Sequence, residues 1–375
     1  MKILLIVPDY PSKNSVAYKF IHDRVKKYKD EFEVDVFCYN KKFVKEYIFE
    51  GIKVIGGSTK KLKELILDNN YSRFVFHFFN IRSAMFIAKH LKNKKVYVWF
   101  HGSDCISWKR RLPSINFKII KIINPIYLFK VIAFIIYNKM RVFNIRKLNK
   151  KCLNLTFVFV SKWNKITSEK DLNIKYKKFK IIHNYINFEK FKYSKKNKNQ
   201  RLKILSINNY ANDVYAGDMI QDIILSLSKR KEFKYFNFSI YGDGKLFDLY
   251  TSKISKFKNV YINKGFIKTD EIISVHKLNG IFLYPKRGDS QGVSRCEAMA
   301  SGLVPIASDV EAVSEFSPSN TSYLVNDIEE FVNTLIYIYN NSEDFLKKSK
   351  ECSKFIFEKC NYNKTIQKEI NLIKE

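Results

Sequence analysis

The chain is short of acids for its bases, has no paired cysteine motif, no long uncharged apolar run and no histidine cluster. Each absence removes a class of protein. Only 36 Asp and Glu stand against 68 Lys and Arg in 375 residues, a formal net charge of +32. Such a surface attracts nucleic acid, anionic membrane or phosphorylated ligands. The six cysteines (Cys38, Cys105, Cys152, Cys296, Cys352, Cys360) are scattered without a C-x-x-C. Neither a zinc site nor a disulfide framework is expected, and a reducing cytoplasm suits the chain. His22, His77, His90, His183 and His276 lack metal-ligand spacing, so no metal and no cofactor are expected. The opening "MKILLIVPDYP" is too short in apolar residues for a signal-peptide core and reads as a buried first strand. No run approaches the roughly 18 uncharged apolar residues of a membrane-spanning helix. The expectation is a cytoplasmic chain, soluble or peripheral on the inner face of the plasma membrane.

What is present is globular: 46% hydrophobic and 28% charged residues, in a length that suits two domains of about 170–190 residues. Short apolar runs rich in β-branched and aromatic residues recur between helical patterns. In the first half they fall at 2–7, 34–38, 73–79, 96–100 and 155–160, and in the second at 203–207, 236–241, 259–262, 280–284 and 304–308. Runs that are continuously apolar mark strands buried on both faces, hence parallel sheets with crossover helices. Two series predict an α/β protein of two doubly wound, Rossmann-like domains. The first is expected over 1–191 and the second over 202–355. The basic stretch "KYSKKNKNQR" (192–201) reads as a linker, and 356–375 as a helix returning to the first domain. Residues 115–151, mostly Ile, Phe, Lys and Arg, read as a helical hairpin broken at Pro125 that either dips into an anionic bilayer surface or forms buried crossover helices with a few solvated lysines.

The stretch "RGDSQGVSRCEAMASGLVPIASD" (287–309) carries the chemistry. A strand ends at Tyr284, a loop follows, and a helix beginning near Gly292–Val293 runs to Gly302, a natural C-cap. Ligands of open α/β sheets sit at the carboxyl ends of strands, where helix N-termini point. The amides of Gly292, Val293 and Ser294 would be donors at the positive end of the helix dipole, suited to a diphosphate. Asp289 precedes the helix and Glu297 lies more than a turn into it. The two carboxylates therefore reach different depths of one ligand, one gripping a ribose diol and the other a hexose. Lys286 and Arg287 add positive charge where a leaving diphosphate needs it.

This stretch resembles the donor-binding signature of the family-4 class of GT-B glycosyltransferases: two acids separated by seven residues, a small-residue helix, then a G-x-P-x-x-x-S strand, here Asp289, Glu297 and "AMASGLVPIAS", in which Gly302 and Ser308 keep the spacing and Pro305 falls one place later. Weaker matches follow in order at "WFHGSD" (99–104), "FVFVSKWNK" (157–165), "IIHNYINFEKF" (181–191), "SIYGDGK" (239–245) and "KGF" (264–266). The resemblance implies the GT-B fold, two domains facing each other across a cleft. It also implies a retaining, metal-independent hexosyltransferase that takes a UDP- or GDP-linked donor in its C-terminal domain. It places Glu297 on the nucleotide ribose, Asp289 on the transferred sugar, Gly292 and the following amides on the phosphates, and His101 near the reaction centre. Gly242 and Gly244 match a structural turn.

Departures accompany the match. The Arg and Lys usual after the first C-domain strand are missing from "NNYANDVYAGD" (208–218), leaving Asn208 or Asn209, with Lys286 or Arg287, to take their part. A glycine pair usual before Glu315 appears as Glu311–Ala312, and "PSKNSVAY" (11–18) replaces a glycine-rich loop. The expected acceptor is a glycan or lipid-linked glycan of lipopolysaccharide, capsule or exopolysaccharide assembly. Rival readings are a basic RNA-binding protein, disfavoured because no RNA-binding motif is present, and a GT-B nucleotide-sugar epimerase.

Overall fold

The computed structural model describes residues 1–12, 18–39, 46–68, 70–111, 125–265 and 267–375. Most of the 11–18 loop, residues 115–124 of the basic apolar segment and Phe266 of "KGF" lie outside the described residues. The chain forms two compact units. The first comprises Met1–Arg110, Asn124–Ile182 and Asn363–Glu375, and the second is built on His183–Tyr362.

In the first unit the strands are β1 (Lys2–Val7), β2 (Glu33–Cys38), β3 (Glu46–Phe49), β4 (Ile52–Gly56), β5 (Arg73–His77), β6 (Lys95–Phe100), β7 (Leu155–Phe159) and β8 (Phe179–Ile181). They lie in the order β3-β4-β2-β1-β5-β6-β7-β8, all parallel except β3. Residues Ile3 to Val7 are all buried, as a central parallel strand covered on both faces requires. The second unit has β9 (Lys203–Asn209), β10 (Asn237–Asp243), β11 (Val260–Lys264), β12 (Ile281–Tyr284), β13 (Val304–Ser308) and β14 (Tyr323–Val325). Their order is β11-β10-β9-β12-β13-β14, wholly parallel. This is the doubly wound arrangement, with a switch point between β9 and β12.

Four strands escape a search for continuous apolar runs. β3 and β4 form a hairpin in which β3 alternates between exposed and half-buried side chains and β4 is interrupted by exposed Lys53, turned through Glu50 (φ 45°) and Gly51 (φ 75°). Two left-handed residues make the tight turn that suits strand twist. β8 and β14 have three residues each, too few for a periodic signal.

The stretch 192–201 falls within the second unit and is largely exposed, with one residue turned inward. Lys196 is buried and donates to the His276 carbonyl at 2.6 Å. Asn197 and Gln200 cap a short helix, Lys198–Leu202. Burial brings Lys196 down to about 8. A lysine count alone does not distinguish a solvated run from one whose single inward residue finds a carbonyl.

Pro125 opens one continuous helix, Pro125–Lys151, at the position where its missing N–H costs nothing. Val131, Asn138, Arg141, Ile145 and Leu148 bury one face. Phe129, Ile132, Ile136, Met140 and Phe143, three and four residues apart, leave an apolar stripe in solvent, with Phe129 70% and Phe143 64% exposed. Among the described residues no helix is long and apolar enough to cross a membrane.

The last helix, Tyr362–Lys374, is tied into the first unit by charge. Glu369 and Arg24 are both buried, 3.1 Å apart, and Tyr28 donates to Glu369 at 2.5 Å. Removing one member of a buried pair strands the other charge. Glu369→Ala is expected to cost about 3–5 kcal/mol in chemical denaturation, whereas Arg24→Met with Glu369→Leu costs much less because no charge is left behind.

Candidate functional site

The second unit places most of the predicted residues at the carboxyl ends of β9 and β12. The chain leaves these neighbours in opposite directions, towards β10 and towards β13, so the loops diverge and leave a crevice. Close packing shapes its floor. A Cβ on Gly242 would lie 2.2 Å from the Asn208 carbonyl oxygen, and one on Gly217 would lie 2.5 Å from the Tyr210 ring. Glycine is needed there for the strand and helix to close on Tyr210.

Lys286 reaches this point from β12. Its amine hydrogen-bonds the Asn208 side-chain oxygen and lies 4.7 Å and 4.9 Å from the ring centroids of Tyr284 and Tyr215. Asn208 is held in turn, donating to the Tyr215 carbonyl at 2.7 Å. Burial pushes the Lys286 ammonium down to about 7. Asp289 opposes that shift and Arg295 adds to it. Arg287 turns elsewhere: its guanidinium forks onto Asp218 at 2.8 and 2.6 Å and also reaches the Asp213 carbonyl. That bidentate bond holds its pKa above the ordinary value. Asn209 accepts from the Ala211 amide at 2.8 Å and so caps its own turn. Of the bases and amides named from the sequence, Lys286 and Asn208 therefore occupy the switch point, while Arg287 and Asn209 are engaged beside it.

Asp289 sits among partners. Its carboxylate accepts from the Tyr284 hydroxyl at 3.2 Å and the Gln291 amide at 3.1 Å, and lies 3.6 Å from Arg295. Its own amide donates to Glu311 at 2.6 Å. Glu311 stands in the left-handed region, φ 51°, so the backbone keeps the bend of a glycine although the residue is not one. Arg295 was not anticipated. It is wholly buried, 5.2 Å from the Tyr284 ring, donates to the Gln291 carbonyl at 2.8 Å, and has Nε and one terminal nitrogen without a hydrogen bond among the described residues. The available signal was its place between Asp289 and Glu297, one helical turn past Gly292.

The helix Val293–Ala300 begins at Gly292, whose φ of 75° and ψ of 63° are left-handed. A Cβ there would lie 2.3 Å from an Asp289 carboxylate oxygen, so glycine is required twice over. No side chain caps this end, and the amides of Val293 and Ser294 donate to no acceptor among the described residues. Glu297 is half-buried, and no donor among the described residues reaches its carboxylate. Burial raises its pKa to about 8, with Lys190 pulling the other way. The second unit thus brings together a buried amine, open helix-end amides and an unpartnered carboxyl.

His101 belongs to the first unit and lies just past β6. The Asp104 carboxylate accepts from the amides of His101 and Gly102 at 3.0 Å each. Burial raises Asp104 above the usual carboxylate range, while those amides pull it down. Arg141, on the long helix, fixes the same loop by donating to the carbonyls of Ser103 and Ile106 at 2.7 and 2.6 Å. The His101 ring stacks on Phe78 at 4.5 Å and meets His77 through a 2.9 Å contact between ring nitrogens. Burial, with a contribution from Arg24, lowers His101 to about 3. His77 was assigned nothing from the sequence. Its signal is a histidine ending an otherwise apolar strand.

Residues 202–341 match the family model described as "Glycosyl transferases group 1". A glycogen synthase of Thermodesulfovibrio yellowstonii is 28% identical over 191 residues, which is 45% of this chain but only 37% of that protein. The chain thus spans little more than a third of that relative. Among solved structures, Anabaena Alr3699/HepE in complex with UDP and glucose is similar with a TM-score of 0.72 at 11% identity, covering all of both chains. WaaG, a glycosyltransferase involved in lipopolysaccharide biosynthesis, is similar with a TM-score of 0.68 at 11% identity, covering 99% of each. At such identities the structural likeness shows the fold. Residues 202–341 thus resemble the group 1 glycosyl transferases, and the chain has the fold of the GT-B structures it is similar to.

Proposed function

We propose that the chain transfers a hexose from a nucleotide-sugar donor, UDP- or GDP-linked, to a glycan or lipid-linked acceptor with retention of anomeric configuration. The single observation that carries the reading is Lys286, a buried amine at the switch point of a unit whose helix end at Gly292 offers amides with no hydrogen-bond partner among the described residues. When the bond between the anomeric carbon and the β-phosphate oxygen breaks, negative charge grows on the phosphate. Fixed donors in a low-dielectric site stabilise that charge more than the ground state. Lys286 with Asn208, and the amides of Gly292, Val293 and Ser294, take this role, so the base usual after the first strand is supplied from the fourth. Arg287 supports from outside through Asp218, and Asn209 shapes the turn. Glu297 accepts the ribose diol on its open oxygens. Asp289 takes the transferred sugar on lone pairs left over from Tyr284 and Gln291, and His101 is the catalytic candidate of the first unit. The acceptor hydroxyl attacks on the face the phosphate leaves, and its proton passes to the departing phosphate oxygen without a metal ion. The UDP and glucose bound by the Anabaena protein support a UDP-linked hexose.

The acceptor side rests on different evidence. The stripe Phe129, Ile132, Ile136, Met140 and Phe143, flanked by Lys130 and Lys139, suits an anionic bilayer surface. A peripheral enzyme on the inner leaflet, acting on a lipid-linked envelope glycan, fits this face, and the lipopolysaccharide role in WaaG's description supports it.

A thermal-shift panel of UDP-, GDP-, ADP- and CMP-sugars is expected to show stabilisation by at least one donor, abolished in Glu297→Ala. No response to any donor would remove the reading. Because Lys286 titrates near 7 and only its charged form attracts the diphosphate, its contribution to donor affinity is expected to fall about tenfold per pH unit above 7. In Lys286→Arg, charged throughout, the fall is absent. Comparing the two profiles by calorimetry separates this effect from Glu297, which is common to both. Flotation with phosphatidylglycerol vesicles is expected to carry the protein upward, and Lys130→Glu with Lys139→Glu to reduce the floated fraction severalfold. Equal flotation with neutral vesicles would contradict the charge argument.

A further inference from the structure

His77 ends β5, paired in register with Trp99 of β6, and His101 follows two residues beyond Trp99. The His77 ring stacks on Trp99, centroids 5.2 Å apart and planes within 28°, and meets the nearly coplanar His101 ring edge to edge, centroids also 5.2 Å apart. His77 is 2% exposed, and its Nε2 has no hydrogen-bond partner among the described residues. Its Nδ1 lies 2.9 Å from His101 Nε2. Between two neutral imidazoles one of these nitrogens donates and the other accepts. If His101 donated, His77 would carry its proton on Nε2 and bury an N–H with no acceptor. Buried N–H groups without partners are rarer in native structures than acceptors left short. The opposite arrangement leaves only a lone pair unmatched. Burial and the nearby Arg24 disfavour the imidazolium of either ring, so a doubly protonated donor does not enter.

We propose that His77 is a positioning residue: it donates from Nδ1 to His101 Nε2 and thereby fixes His101 as the tautomer protonated on Nδ1. The main chain at His101 is set independently by Asp104, which grips the amides of residues 101 and 102. One partner fixes where the residue sits, and the other fixes the rotation of its ring and which nitrogen carries the hydrogen. The value of that arrangement rests on the glycosyl-transfer reading. A neutral ring of fixed tautomer offers a sugar oxygen a directed donor, whereas an exchanging ring offers one only part of the time.

The decisive measurement needs no substrate. Two-bond proton–nitrogen correlation spectra of protein labelled with 15N-histidine report which ring nitrogen is protonated, and the spectra of His77→Asn and His101→Asn assign the signals. The expected result near neutral pH is His101 protonated on Nδ1 with a bare Nε2. A His101 signal protonated on Nε2 overturns the proposal. Kinetics add a second test. His77→Asn places an amide nitrogen where Nδ1 stood and is expected to keep kcat within about threefold, whereas His77→Leu loses about a hundredfold in kcat with little change in donor KM. Unchanged kcat in folded His77→Leu also overturns it. If the wild-type protein transfers no sugar, the function reading fails while the tautomer spectra still decide this one. If His77→Leu does not fold, the wild-type spectrum decides alone.

Discussion

An ammonium group withdrawn from water must be compensated on every side, and the second unit is organised around doing so for Lys286. An amide oxygen meets the amine, two tyrosine rings offer their negative faces, and a carboxylate lies close by without contact. These partners soften the cost of burial but leave the pKa depressed. An anion arriving at the switch point would supply what the protein withholds. The surrounding choices follow. Asp218 keeps Arg287 aside, Arg295 holds Asp289 in the loop, and Gly292 lets the helix begin where a side chain would strike that carboxylate.

The two units use one plan of parallel strands differently. In the second, the carboxyl ends of the strands carry ionisable groups at unusual pKa values. In the first, the corresponding end is lined by rings in succession, His77 stacked on Trp99, His101 stacked on Phe78, and the two histidines joined edge to edge. A row of this kind excludes water and resists charge, which suits holding a neutral group in one orientation.

The central strands were legible because a parallel strand buried on both faces leaves an unbroken apolar run, as in "KILLIV" and "GIFLY". The half-exposed hairpin β3–β4 and the three-residue strands β8 and β14 were not, although β11, also at an edge, was. β3 shows one face to solvent and so mixes Glu46 and Tyr47 with Ile48 and Phe49. The residues between 286 and 297 could be named because spacing fixes which atoms share a helix end. Their division of labour could not be, because it depends on contacts across the fold. Only the coordinates distinguish Lys286, turned inward to Asn208, from Arg287, its neighbour, turned outward to Asp218. Arg295 and His77 were passed over for a related reason. A buried cation and a buried imidazole are defined by what surrounds them, and the sequence gives only the residue.

The buried pairing of Arg24 with Glu369 joins positions 345 apart in the chain. During synthesis, β1 to β8 emerge long before the helix that neutralises Arg24, whereas residues 183–362 are contiguous and can close on themselves. The C-terminal unit is therefore placed to mature ahead of the N-terminal one, reversing the vectorial order usual for multidomain chains. Until residue 369 clears the ribosome, the nascent first unit holds the Arg24 guanidinium without its carboxylate, and it is over that interval that a chaperone has most to protect.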